Sequence, residues 1–378
     1  MKMGTCLVCG SKLPTEAFLS LPNMPSCAQN LPVKDDLVSD KGLDLNLYQC
    51  SCCGLVQLDC PPVHYYRDVI RAGGGTKTMT DLRKAQYQNF IAKCNLKGKR
   101  VLEVGCGQGE FLEMLKEFPV SGFGIENKQE LVDLAQSKGL NVSNDFAGDP
   151  DHRIAGGPYD AFMQFNFIEH QPDPNAMVRC IYNNLTEDGV GLVTAPAFEY
   201  IRNDCVYEIM RDHLAYYTDG ALKFLFMRNG FDVIESGVVN RDTNYVIVQK
   251  REVITHDTFK TNYAEIKRGL NEFVAKCKIE GHKLAFWAAS HQCFTATSFL
   301  DHPEDVACIV DSAKFKQGKY SPTSHIPIIS PSEFYVHPAD DILILAPGYT
   351  EEIAGLIRKN ASPAINIYAL RSDRVEKL

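Results

Sequence analysis

The sequence predicts a three-part α/β protein, and three observations carry that expectation. Between Leu82 and about Lys250, strand-like and helix-like segments alternate, the pattern of a parallel sheet with helices on both faces. The same alternation restarts after one long amphipathic stretch and runs through the C-terminal third. Ahead of both lies a segment, residues 1 to about 62, rich in cysteine and proline and poor in helical periodicity. That suits a small domain held by something other than a large core. The expected divisions are an N-terminal module with its connector at 1–75, a central domain at 76–252, and a second, smaller α/β domain at 253–378.

Taken in order, the connector Tyr65–Gly75 ends in three glycines and reads as a mobile or ligand-approaching loop. Strands are expected at Arg100–Val104, Gly122–Glu126, Tyr159–Phe165 and Gly189–Thr194, short apolar runs bounded by turn residues. Phe231–Ser236 and Tyr245–Lys250 close the central domain as an antiparallel pair. Asp257–Lys278 carries the helical period as a single helix. Beyond it, Lys283–Trp287, Val306–Asp311, Asp341–Leu345 and Ala364–Tyr368 read as buried strands separated by helices.

Composition narrows the class. With 45% hydrophobic and 23% charged residues over 378, the chain can bury a sizeable core. No apolar run approaches the eighteen or so residues of a membrane helix; Ile342–Pro347 is typical of the longest. The first residues have no apolar core of a secretory signal. A net charge of -8 argues against gripping a phosphate backbone, so no nucleic acid and no membrane is expected as partner. Fourteen cysteines without a signal point to a reducing, cytoplasmic setting, where cysteine clusters more often hold metal than disulfides.

Cys6-Leu-Val-Cys9 and Cys50-Ser-Cys-Cys53 form two Cys-x-x-Cys pairs. Each places two thiolates on one tight turn, and two such turns supply four sulfurs for a tetrahedral, structural zinc. Gly10 and Gly54 follow directly, where such a turn needs a relaxed backbone. The bland alternative is two unrelated pairs of buried thiols. Cys52 lies inside the second pair and is not expected as a ligand; Cys27 and Cys60 are weaker candidates.

Val101–Gly109 is a buried strand running into Gly105-Cys-Gly107-Gln-Gly109, followed by a helix over Glu110–Glu117. Glycines are needed where the backbone turns sharply and where a ligand must touch it with no Cβ in the way. Glu103 lies inside the strand, and Glu126 ends the next one, where a carboxylate can accept both ribose hydroxyls. The pattern differs from the Gly-x-Gly-x-x-Gly of dinucleotide folds because position 110 is glutamate. Together these features resemble the S-adenosylmethionine (SAM) site of class I methyltransferases. In that reading Asn166, after the fourth strand, contacts the methionine end, and Asn144-Asp145-Phe146 borders the adenine. His170 reads equally well as a capping or surface residue.

The whole chain is then similar to the nucleotide-sugar C-methyltransferases, enzymes that make branched-chain deoxysugars. The resemblance rests on the cysteine pairs with Cys50–Gln57, on Val101–Gly109, on Asp212-His213-Leu-Ala-Tyr216-Tyr217-Thr218, and on Val310–Tyr320 with His325-Ile-Pro-Ile328. It implies a class I (Rossmann-like) methyltransferase core with a small zinc-binding N-terminal domain and a second, smaller Rossmann-like C-terminal domain. It also implies SAM and structural zinc as cofactors, a nucleotide-linked keto-deoxysugar as substrate, and a monomer or homodimer. Within that family an acidic residue followed by histidine carries the chemistry; the usual pair is Glu-His and here it is Asp212-His213. A ketone acidifies the adjacent carbon, and a histidine made more basic by a neighbouring carboxylate can take that proton. Tyr66, Tyr216 and Tyr217 would shape the substrate pocket, or equally be core residues. Two stretches depart from the family. The C-terminal domain opens with Trp287-Ala-Ala-Ser290-His291-Gln in place of a glycine-rich loop with a lysine, leaving Ser290, His291, Lys316 and Lys319 as candidate phosphate contacts. Arg67–Thr78 carries glycines and Arg71 in place of hydroxyl residues. The alternatives are an O- or N-methyltransferase of a sugar nucleotide or related metabolite, an RNA-modifying enzyme, and a non-catalytic SAM-binding subunit.

Overall fold

The computed structural model describes residues 4–29, 31–68, 76–372 and 374–378. Of the glycine-bearing connector, residues 69–75, Arg71 and the three glycines included, lie outside the described residues. The chain divides into two compact units, Met1–Glu252 and Val253–Leu378.

The first unit begins with strands β1 (Leu19–Met24), β2 (Leu43–Gln49) and β3 (Val56–Leu58). Then follow helix α1 (Lys77–Lys93), β4 (Arg100–Val104), α2 (Glu110–Met114), β5 (Ser121–Glu126), α3 (Gln129–Ser137), β6 (Val142–Asn144) and β7 (Tyr159–Phe165). Next come α4 (Pro174–Asn183), β8 (Leu185–Pro196), α5 (Phe198–Asp204), β9 (Ala215–Tyr216), α6 (Asp219–Arg228), β10 (Phe231–Val239) and β11 (Thr243–Lys250). Seven strands form one sheet in the order β10-β11-β8-β7-β4-β5-β6. β6, β5, β4, β7 and β8 run parallel, and β11 and β10 antiparallel. The strand order reverses beside β4, which puts a binding crevice at the carboxyl ends of β4 and β7. β4 and β7 are buried along nearly their whole length, as expected for strands covered on both faces. Helix α2 is shorter than the run Glu110–Glu117, whose last turn tightens into a 3-10 turn at Leu115–Glu117.

The cysteine-rich segment is not a body of its own. β1, β2 and β3 continue into β9 from the central domain, with Val56 opposite Tyr216 and Gln57 opposite Ala215. Cys6, Val8, Leu13, Cys50 and Leu55 share one core with Val104, Phe162, Phe226 and Val246. Metal or no metal, much of what stabilises this segment is apolar burial against the central domain.

The second unit comprises α7 (Asp257–Ile279), β12 (Leu284–Trp287), α8 (His291–Thr297), β13 (Val306–Val310), β14 (Ile328–Ile329) and α9 (Pro331–Val336). β15 (Asp341–Ile344), α10 (Thr350–Asn360), β16 (Asn366–Leu370) and β17 (Val375–Lys377) complete it. Its sheet runs β14-β13-β12-β15-β16-β17, parallel except for β17, and is Rossmann-like, with the order reversing between β12 and β15. Leu270, Val274 and Cys277 recur at helical spacing on the buried face of α7. Among the described residues no helix is long and apolar enough to cross a membrane.

Candidate active site

The glycine turn closes β4 as the sequence requires. Gly105, Gly107 and Gly109 all have left-handed backbone, at φ +72°, +58° and +84°. A Cβ at Gly105 would stand 3.1 Å from the Phe167 ring, so the turn is closely packed as well as conformationally demanding. At the end of β5 the Glu126 carboxylate accepts from the Gly107 and Lys128 amides, each at 3.0 Å, which holds it across the mouth of the turn. Burial raises the Glu126 pKa, and the charge of Asp68 adds to the rise. A cavity here is lined by Gly105, Glu126, Asn127, Asp145, Phe146, Phe167 and, from the connector, Arg67. Asn144 departs from the expectation. Its amide donates to the Asn127 carbonyl at 2.8 Å and braces the turn after β5, while Asp145 and Phe146 form the wall.

On the other side of β4, Asn166 follows β7 with φ +47°, and its Oδ1 accepts from the Thr194 hydroxyl at 2.6 Å. Asn166 and Thr194 line a second cavity together with Arg83, Gln86, Phe111 and Phe165. Arg83 was missed by the sequence reading. Only 4% exposed, its guanidinium lies 3.5 Å from the Phe165 ring centroid and 4.5 Å from that of Phe111, and donates to Gln86 at 2.6 Å. A buried cation beside the glycine turn suits an anionic ligand group. Glu103 is fully enclosed in β4.

The two acid–histidine pairs of the sequence meet in space. The Leu214 amide donates to the Glu169 carbonyl at 2.9 Å, and His170 Nδ1 donates to the Asp212 carbonyl at 2.9 Å. His170 is therefore buried and bonded, neither a cap nor a surface residue, and its Nε2 carries the lone pair. The His170 and His213 rings meet edge to face, with centroids 4.7 Å apart. Glu169, His170 and His213 offer ligand-type atoms within 4.8 Å of one another. Burial pushes the Glu169 carboxyl up to about 8 and the His170 imidazole down to about 4. The partly buried His213 is held well below the usual imidazole range by burial and then by His170. Among the described residues Glu169 Oε2, His213 Nδ1 and the Tyr217 hydroxyl have no hydrogen-bond partner.

Asp212 corrects the expectation that it orients the imidazole. Its carboxylate accepts from the Tyr65 hydroxyl at 2.7 Å and the Ala28 amide at 2.8 Å, so it ties the N-terminal segment to this turn. The tyrosines also sort themselves. Tyr216 is a core residue whose hydroxyl closes on the backbone of Met210, donating at 3.0 Å and accepting at 2.9 Å. Tyr217 is fully enclosed behind Glu169, and burial drives its pKa far above the usual phenol range. Tyr66 packs edge-on against Phe146, which lines the Glu126 cavity. Tyr65, overlooked in the sequence, is the one that touches the acid.

Cys6, Cys9, Cys50 and Cys53 converge, with Sγ–Sγ distances of 3.5 Å for Cys6–Cys53 and 3.4 Å for Cys9–Cys50. Tetrahedral Zn–S bonds of about 2.3 Å need sulfurs about 3.8 Å apart, so the four fit a zinc with small adjustment. The two turns are alike: Gly10 N donates to Cys6 O and Gly54 N to Cys50 O, both at 2.9 Å, with both glycines left-handed. Cys52 is exposed and outside the cluster. Asn175 and Arg228 of the central domain hold the first turn through the Val8 carbonyl.

In the second unit Ser290 accepts from the Cys293 amide at 3.2 Å and so caps α8, whose first residue His291 is exposed. Lys316 Nζ reaches that loop, donating to Ala289 O at 2.8 Å, but also to Asp311 at 3.0 Å. Its charge is thus matched by a carboxylate, while Lys319 is exposed.

Comparison with known proteins agrees with this architecture. A methyltransferase domain model matches residues 79–236, and a C-methyltransferase C-terminal domain model matches 247–362. The C-methyltransferase NovU of Streptomyces niveus is 24% identical over 386 residues, covering 92% of this chain and 90% of that protein. A ubiquinone biosynthesis O-methyltransferase of Xanthomonas oryzae pv. oryzae (strain PXO99A) is 31% identical over 123 residues, 31% of this chain and about half (52%) of that enzyme. A solved SAM-dependent methyltransferase from Clostridium acetobutylicum ATCC 824 has 13% identity and a TM-score of 0.38, covering 50% of this chain and 97% of its own. The full-length match and the paired domain models agree: the chain is a SAM-dependent methyltransferase in which a methyltransferase domain is followed by a C-methyltransferase C-terminal domain.

Proposed function

We propose that the enzyme methylates a carbon next to the ketone of a nucleotide-linked keto-deoxysugar, with His213 as the base. The observation that carries this reading is the His213 imidazole. Its ring is partly exposed, its Nδ1 is buried and unpartnered, and burial and then His170 hold its pKa well below the usual imidazole range. A neutral imidazole with a free lone pair can accept the proton on C3 beside a 4-keto group. SAM supplies an electrophilic methyl group and departs as the neutral thioether. Glu126 would hold the ribose hydroxyls, Asp145 and Phe146 the adenine, and Gly105 and Gly107 the approach of the methionyl chain. Asn166 and the buried Arg83 would meet the amino-acid end, Arg83 as counter-ion to its carboxylate. His213 would take the C3 proton, leaving an enolate to be methylated by the bound donor, and would then return that proton to solvent.

The cysteine cluster supports a structural zinc, since four sulfurs leave no open position. The C-terminal unit would hold the nucleotide near Ser290 and His291, with Lys319 a better source of free charge than the matched Lys316. The match to the O-methyltransferase covers only 31% of this chain, against 92% for the C-methyltransferase NovU, so it does not favour oxygen as the acceptor. A panel of nucleotide 4-keto sugars in deuterium oxide without SAM tests the reaction. Washout of the C3 proton by the wild type and its loss in His213→Ala, with roughly 10²–10⁴-fold slower methylation, is expected. Methylation without any C3 exchange would point to oxygen or nitrogen instead.

A further inference from the structure

The residues between the N-terminal strands and α1 touch both ends of the site. Tyr65 donates to Asp212 at 2.7 Å and accepts from the Ala28 and Gln29 amides at 3.2 and 3.3 Å. Ala28 also donates to the other Asp212 oxygen at 2.8 Å, which closes a ring of bonds around one carboxylate. Three residues on, Asp68 accepts from the Asn127 amide at 2.5 Å, directly after Glu126. Between them Arg67 lies over the Phe146 ring at 4.8 Å, donates to the Tyr66 hydroxyl at 3.0 Å, and lines the cavity of Glu126, Asp145 and Phe146. Two successive turns stiffen the segment, Tyr66 N to Val63 O and Asp68 N to Tyr65 O at 3.2 and 2.8 Å.

We propose that Tyr65–Asp68 is a positioning strap that contributes Arg67 to the wall of the adenosine site, is fastened beside it by Asp68 on Asn127, and holds the Asp212–His213 turn through Tyr65, so that cofactor binding and ordering of that turn reinforce each other. The proposal rests on the adenosine assignment of the Glu126 cavity. Its physical basis is shared ordering. Whatever fixes Arg67 against an adenosine also fixes Tyr65 two residues away, and the cost of immobilising the strap is met once for both contacts. Linkage makes the effect reciprocal: a strap loosened at Asp212 must bind the adenosine less well. Neither Tyr65 nor Asp212 lines the adenosine cavity, so a purely local role for Tyr65 predicts no such effect.

S-adenosylhomocysteine is the probe, followed by calorimetry and by amide hydrogen exchange on the full chain. In the wild type its binding should slow exchange at the Ala28, His213 and Leu214 amides. Tyr65→Phe, which removes only the hydroxyl, should weaken S-adenosylhomocysteine roughly fivefold, the low end of coupling between sites. Arg67→Ala should weaken it and abolish the added protection at those three amides. Circular dichroism matching the wild type shows that each variant is folded, and Asp68→Asn, which keeps the size, gives a second reading from the cofactor end. Wild-type affinity in folded Tyr65→Phe, or unchanged exchange at the three amides on ligand binding, would overturn the strap. Glu126→Ala separates the two readings. Wild-type affinity there removes the adenosine assignment itself, whereas weakened binding there with no effect of Arg67→Ala overturns the strap alone.

Discussion

Glu169→Gln should abolish a loss of stability that the wild type suffers as pH rises through neutrality. The Glu169 side chain is enclosed, its Oε2 has no partner among the described residues, and Oε1 stands 3.9 Å from His170 Nε2. Burial lifts its pKa to about 8 from the ordinary 4.5, so the folded chain holds a proton that the unfolded chain releases. The sign follows from that. Stability is fully present below pH 4.5 and falls as pH rises toward 8, by about 1.36 kcal/mol per unit over 3.5 units, or about 5 kcal/mol. His170 opposes this at the acid end, because its pKa of about 4 lies below the ordinary 6.5, so it destabilises the fold as pH drops through that window. His213 acts in the same direction. Above about pH 7.5 the histidines are neutral in both states, while over 6.5 to 8 Glu169 by itself accounts for a loss of about 2 kcal/mol. Glutamine keeps the shape and cannot ionise. Urea unfolding of both proteins at half-unit steps, followed by circular dichroism, gives the difference free of groups they share. A difference between the two proteins that stays constant from pH 6.5 to 8 would refute the assignment of a neutral, proton-holding Glu169.

Glu126→Ala should weaken SAM roughly tenfold or more while the fold stays intact, since charged hydrogen bonds contribute about 1.5–3 kcal/mol each; calorimetry reads it directly. Purified without chelator, the protein should contain one zinc per chain and keep it in Cys52→Ser, whereas Cys9→Ser should lose it. Two metals per chain would call for a second site, for which Glu169–His170–His213 and Glu280–His282–Asp341 are the other candidate groups among the described residues. Asp212→Asn should lower methylation less than His213→Ala and should leave the pH dependence of the rate unshifted, because the carboxylate contacts Tyr65 and Ala28 and not the imidazole.

The central sheet was open to a sequence reading because its strands are buried on both faces. Runs such as Val101-Leu-Glu-Val104 and Tyr159–Phe165 carry no polar alternation and their ends fall within a residue of the observed ones, whereas β8 and β10 run past the expected Gly189–Thr194 and Phe231–Ser236, to Leu185–Pro196 and Phe231–Val239. The small sheet was not open in the same way. β9 is two residues long, and its partner β3 lies more than 150 residues earlier, so no local period announces the pairing. That pairing is what joins the cysteine-rich segment to the central domain, and it hides the boundary expected near residue 75. Helix α2 deviates for a local reason: its last turn packs Leu115 into the core and tightens there.

The candidate site divides along a related line. Backbone chemistry is local, so three glycines in one turn announce left-handed φ, and two Cys-x-x-Cys-Gly turns announce their shape. Side-chain partnership is not local. Asp212 and His213 are adjacent in the chain, which invites reading them as a pair, yet neighbouring side chains leave the backbone in different directions. The acid turns to Tyr65 and Ala28, and the imidazole turns to His170. A second acid–histidine pair, Glu169-His170, stands in the sequence, but His170 alone reads there as a capping or surface residue, because nothing local shows that its ring meets His213. The fold makes the two pairs interdependent: Leu214 N bonds Glu169 O, and His170 bonds Asp212 O, so each backbone holds the other. His213 is thus held by the backbone of Glu169, Asp212 and Leu214 and by the His170 ring, so of these four side chains it is His170 whose replacement should move it.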